Sequence, residues 1–158
     1  MNIQKFTNAR WLGLIAPEIE RFFKKVKPQG MTYESLYTYI AQIVQFGGNT
    51  AEFWVVFDEG KPVGFMNYSV LALPYISTAG SDCICSWGKP EVAEMLVNKW
   101  INFARINRCK YLRSSASNKK LISHYRKLAD KTGFKLKQTG SITFICEEKD
   151  EDIPEDKD

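Results

Sequence analysis

A chain of 158 residues that is 44% hydrophobic and 13% aromatic is long and apolar enough to bury one core, and a single domain over residues 1–146 is expected. No run approaches about 18 apolar residues, and the opening MNIQKFTNAR lacks the apolar region of a signal peptide, so neither a membrane span nor secretion is indicated and a cytoplasmic protein is expected. The net charge of +4 conceals a contrast: residues 147–158 hold eight acidic and two basic groups, a net −6, while the rest of the chain carries +10.

In chain order, Pro17 suits the first position of a helix whose apolar stripe is Ile15, Ile19, Phe22, Phe23 and Val26, with Lys24, Lys25 and Lys27 favouring its C-terminal end. After a break at Pro28 to Gly30, Thr32 can cap a second helix with the stripe Leu36, Ile40, Ile43 and Val44, ended by Gly47-Gly48-Asn49. The period then changes. EFWVVFD (52–58) and PVGFMNYSVLA (62–72) are rich in β-branched and aromatic residues and joined by Glu59-Gly60-Lys61, which predicts a hairpin. A third strand is expected within 75–86, with Gly80 marking a bulge or a bend.

From Pro90 to about Asn107 the pattern is again helical. Ala93, Leu96, Val97, Trp100, Ile101 and Ala104 form a stripe that Met95, Phe103 and Ile106 widen, so this helix has to pack against a sheet. KYLRSS (110–115) reads as a strand, 118–132 as a helix closed by Gly133, and FKLKQ and SITFICE as an antiparallel pair around Thr139-Gly140. The order ααβββαβαββ predicts an α/β (α+β) fold with a mixed central sheet flanked by helices. The tail EEKDEDIPEDKD has one aliphatic residue, Ile153, and cannot offset the entropy of ordering; it is expected to be disordered, as a solubilising end or an interaction tail.

Cys83, Cys85, Cys109 and Cys146 read as small buried residues of a reducing compartment. A single C-x-C with isolated cysteines and one histidine, His124, lacks the paired spacing of a zinc site, and no metal is expected.

Asn118, Tyr125 and Gly133-Phe134 stand in a telling order: an asparagine before the last helix, a tyrosine seven residues later, and a Gly-Phe helix end. With DEGKPVGF (58–65), an acidic-Gly turn followed by an apolar-Gly-aromatic strand, these residues make 50–146 resemble the GNAT superfamily of N-acyltransferases, which also carry a helical pair in front. The resemblance implies acetyl-CoA as co-substrate and an amine of a protein or small molecule as acceptor. It implies Tyr125 as the acid that protonates the departing thiolate, a role that suits a phenol whose ordinary pKa lies near that of a thiol. It places Asp82 where a carboxylate base often stands, and Ile84, Cys85 and Asn118 among the cofactor contacts.

Between the third strand and the apolar helix the family carries Arg/Gln-x-x-Gly-x-Gly/Ala, whose glycines let successive amides turn toward the CoA pyrophosphate at a helix N-terminus. Here the segment is Ser86-Trp87-Gly88-Lys89-Pro90-Glu91-Val92-Ala93. Pro90 removes one amide and Glu91 brings a negative charge, whereas Ala93 can match the final small residue and Lys89 can meet a phosphate as a point charge. The same residues also fit an ordinary helix start, with Pro90 at its first position and Glu91 complementing the dipole.

Each site residue has a plainer reading too. Tyr125 shares a helical face with Leu121 and Leu128, Asp82 fits a solvated turn, and His124 fits the surface. Lys119, Lys120, Arg126, Lys127, Lys131, Lys135 and Lys137 form a basic cluster that suits a solvated face, the CoA phosphates or nucleic acid. Three functions therefore stand open: an acyl-CoA-dependent N-acyltransferase, a GNAT-fold binding module without cofactor, and a nucleic-acid accessory domain argued from charge alone.

Overall fold

The hairpin organises the sheet. In the computed structural model, which describes residues 1–27, 30–73, 76–81, 84–115, 123, 126–127, 130–139 and 143–148, β2 (Ala51–Asp58) pairs antiparallel with β3 (Lys61–Leu73). Glu59 and Gly60 between them both have positive φ, 48° and 76°. Two successive left-handed residues twist the chain in the sense that paired strands require, which is why an X-Gly pair closes hairpins.

β1 (Asn2–Lys5) adds to the free edge of β2, and β4 (Ile76–Ser81) adds to β3, both antiparallel. β6 (Tyr111–Ser115) lies parallel to β4, and β8 (Thr143–Glu148) and β7 (Phe134–Thr139) close the order β1-β2-β3-β4-β6-β8-β7. β5 (Ile84–Cys85) is off this path and pairs with β3. The parallel step is made by α3 (Pro90–Ile106), the apolar helix that the sequence places between two parallel strands.

The two faces of the sheet carry separate cores. On one, Val56, Met66, Tyr68, Ala79 and Leu112 pack with Val92, Leu96, Val97, Trp100, Ile101, Phe103 and Ala104 of α3. Trp100 is buried, and its indole N–H donates to the Ala79 carbonyl at 3.2 Å, so the helix is fixed by a directed bond as well as by area. On the other face, Phe53, Val55 and Phe65 meet α1 (Ala16–Val26) and α2 (Tyr33–Phe46) through Ile19, Phe22, Leu36, Ile40, Ile43 and Val44. α2 begins with the expected cap: the Thr32 hydroxyl accepts from the Ser35 amide, and the Ser35 hydroxyl accepts from the Thr32 amide.

The structure departs from the expected order in particular places. β1 and a 3₁₀ helix, Ala9–Leu14, precede the two helices. Val26 and Ile106, read as stripe residues, are the last residues of α1 and α3 and are exposed. Gly80 is regularly paired with Ser69 and Arg113, so it marks neither bulge nor bend. β8 continues to Glu148, pairing Glu147 with Tyr111 and Glu148 with Phe134, two residues into the segment expected to be tail. Residues 149–158 lie outside the described residues.

Candidate active site

Two features of the pairing converge on one place. The first is a register shift. Ser69 opposes Gly80, whereas Met66 opposes Ile84, so the partner strand gains one residue between these pairs. The packing shows the same shift independently. Ala79 faces α3, and strict alternation would turn Cys85 to α3 as well. Instead Cys85 lies in the α1–α2 core and Ile84 packs against the α3 core.

The second feature is a split. β4 and β6 pair from Thr78–Tyr111 to Ser81–Ser114, and beyond that point β5 stays with β3 while β6 goes on to Ser115. Among the described residues, the edges of β5 and β6 that face each other past Ser81 are not paired. In an antiparallel ladder, neighbouring residues direct their N–H and C=O alternately toward and away from the partner. The Cys85 carbonyl lies close to Gly64 of β3, where an added Cβ would sit 2.6 Å from it.

The mouth of the split is built by residues 86–90. The Lys89 amide donates to the Ser86 carbonyl at 2.8 Å, closing a turn in which Trp87 and Gly88 both have positive φ, 46° and 79°. Pro90 then opens α3. The first helical bond runs from the Ala93 amide to the Lys89 carbonyl, so the amides of Glu91 and Val92 stand ahead of the ladder, at the positive end of the helix dipole.

Around this turn α1 contributes charge. Arg21 lies 4.1 Å from the centre of the Trp87 ring and Lys25 lies 5.6 Å from it, while Arg21 also reaches Glu18 at 3.8 Å. The Trp87 indole nitrogen is buried without a hydrogen-bond partner among the described residues. Burial pushes the Cys85 thiol up to about 12; Glu18 adds to the rise, while the Trp87 amide, Lys25 and Arg21 oppose it. A thiol so raised is a packing group at neutral pH and no nucleophile.

Of the residues singled out in the sequence, Ile84, Cys85 and Lys89 come together here. Lys89 is already engaged, 3.8 Å from Asp58 of the hairpin turn. Ala93 is buried, and its amide donates to the Lys89 carbonyl at 3.2 Å. Asp82, Asn118 and Tyr125 lie outside the described residues, as does His124. The register shift and the Arg21–Lys25–Trp87 contacts were missed from sequence, and no residue type announces the register shift. Among the described residues no three His, Cys, Asp or Glu side chains converge as a metal site, and no helix is long and apolar enough to cross a membrane.

No protein-family description matches the sequence, and no curated protein matches it significantly. Solved structures do. The chain is similar to the PaiA N-acetyltransferase of Thermoplasma acidophilum in complex with coenzyme A, with a TM-score of 0.63 at 14% identity over 94% of this chain and 99% of that one. It is similar to an acetyltransferase of Streptococcus agalactiae, with a TM-score of 0.65 at 15% identity over 91% and 96%. The diaminobutyrate acetyltransferase EctA of Paenibacillus lautus, in complex with L-2,4-diaminobutyric acid and coenzyme A, gives 0.62 at 12% identity over 93% and 95%. The fold is therefore that of the GNAT acetyltransferases.

Proposed function

We propose that the protein is an acyl-CoA-dependent N-acyltransferase that passes an acyl group, acetyl in the simplest case, to an amine. The observation that carries this reading is the split of the sheet at Ser81 and Ser114 with the N-terminus of α3 at its mouth. An extended chain that carries amides and ends in a thioester can lie between unpaired strand edges, and phosphates suit the free amides of Glu91 and Val92. Ile84 and Cys85 flank the slot, and Lys89 is the nearby cation. Its release from Asp58 would cost little, because both side chains are substantially exposed.

In the reaction the amine nitrogen attacks the thioester carbonyl, the C–S bond breaks, and the thiolate leaves. Tyr125 is the proposed donor of the proton to that thiolate, and Asp82 the proposed acceptor of the amine proton, directly or through water. Tyr125→Phe keeps the ring and removes the O–H. With acetyl-CoA saturating, kcat for thiol release in the presence of an amine acceptor should fall by about 10²- to 10⁴-fold. Retention of more than half the rate removes Tyr125 from the acid role.

The alternative, a GNAT-fold binding module, is favoured by one observation. The loop has closed on itself, with the Lys89 amide spent on Ser86, Pro90 lacking an amide and Lys89 paired with Asp58. Three groups that could meet a pyrophosphate are thereby withdrawn or absent. A protein that binds neither CoA nor acetyl-CoA belongs to this second reading.

A further inference from the structure

Ser81 is 4% exposed, and among the described residues its hydroxyl has no hydrogen-bond partner. A buried hydroxyl without a partner is uncommon and unfavourable, and here it is not scattered at random. It stands on the last residue of β4 that pairs with β6, beside the equally buried Ser114, where the sheet divides. On β4, Ala79 and Ser81 share one side, and on β6, Leu112 and Ser114 do; Ala79 and Leu112 both belong to the α3 core, so both serines are on the α3 face.

Alanine at this position would fill nearly the same volume without the unmet hydroxyl. The other buried polar side chain near the register shift, Asn67, does have a partner, its amide donating to the Tyr39 hydroxyl at 3.3 Å. Ser81 differs from it in lying where two strands separate, at the floor of the gap that opens toward residues 86–90.

We infer that the Ser81 hydroxyl is a ligand contact, donating a hydrogen bond to a carbonyl of the uncharged amide-bearing arm of the acyl-CoA. This inference rests on the acyl-CoA reading given above. It assigns Ser81 a part in binding the arm and none in binding the nucleotide.

The test compares wild type with Ser81→Ala, titrating each with CoA and with adenosine 3′,5′-bisphosphate, which has the nucleotide but no arm. Without ligand, Ser81→Ala should melt at the wild-type temperature or slightly above it. Its Kd for CoA should rise about 5- to 10-fold, the scale of one lost neutral hydrogen bond, while its Kd for the bisphosphate stays unchanged. Ser81→Cys, which keeps the volume with only a weak donor, should fall between. Wild type that binds CoA with Ser81→Ala within twofold of it overturns the Ser81 contact alone. Equal weakening toward both ligands also overturns it, since that is the mark of a distorted site. Wild type that binds no CoA overturns both this contact and the acyl-CoA reading.

Discussion

Glu59-Gly60 and Trp87-Gly88 have almost the same φ angles, 48° and 76° in the first pair and 46° and 79° in the second. Both follow a strand, both end in glycine, and they touch: Asp58 beside the first turn lies 3.8 Å from Lys89 at the end of the second. The first joins two strands that continue to pair, and its non-glycine member is an exposed glutamate. The second leaves the sheet and feeds a helix, and its non-glycine member is a tryptophan held beneath two cations of α1. Local sequence sets the turn, then, and the element that comes next decides whether the turn has anything to bind.

Gly64 packs against residues on both sides of the second turn and gives the largest expected effect. A Cβ there would collide with the Val92 side chain at the start of α3 and sit 2.6 Å from the Cys85 carbonyl. Gly64→Ala should therefore cost about 1–3 kcal/mol in chemical denaturation, by overpacking, and should weaken CoA binding by displacing the start of α3. An unchanged midpoint would mean that α3 approaches the sheet less closely than described.

Smaller effects should separate the turns. Gly60→Ala and Gly88→Ala each place a Cβ in the left-handed region and should each lower stability by about 1–2 kcal/mol. Only Gly88→Ala should also raise the Kd for CoA. Equal losses of CoA affinity in both variants would make the comparison meaningless as an account of binding.

A further effect, absent at neutral pH, is a pH dependence to which the second region contributes through Cys85. Because the Cys85 thiol is raised from 9.0 to about 12 in the folded chain, the folded state retains a proton that the unfolded state releases. The contribution is fully present below pH 9.0 and is lost as pH rises toward about 12. Tyr68, raised by burial and by the Glu52 carboxylate that its hydroxyl bonds at 3.1 Å, acts in the same direction. Thermal melts of wild type should fall above pH 9.0, and Cys85→Ala should show a shallower fall. Identical slopes would show that the thiol is not shielded in the folded protein.

Much of this fold is legible in residue periodicity. The α3 stripe from Ala93 to Ala104, the Thr32 cap and the Glu59-Gly60 turn are local patterns, and each stands where the sequence places it. β1 is not legible, because Asn-Ile-Gln-Lys has one apolar residue and becomes a strand only by pairing with the free edge of β2. The register shift is invisible for a related reason. It is a relation between β3 and its partner, and the sequence of neither strand alone contains it. Among site residues, Ile84, Cys85 and Lys89 are reached through a family resemblance, whereas Ser81 emerges only when burial and pairing are known together. Arg21 and Lys25 look like ordinary surface cations of α1 until Trp87, more than 60 residues later, is seen between them and the turn.

We take the divided sheet and the second turn together as the site for an acyl-CoA, despite Pro90 and Glu91. Calorimetric titration of the full chain with CoA and acetyl-CoA, at low and at raised salt, decides the matter. One saturable site per chain is expected, with affinity that weakens as salt screens the phosphates. The absence of any binding heat or thermal shift at millimolar CoA, at either salt concentration, would contradict it.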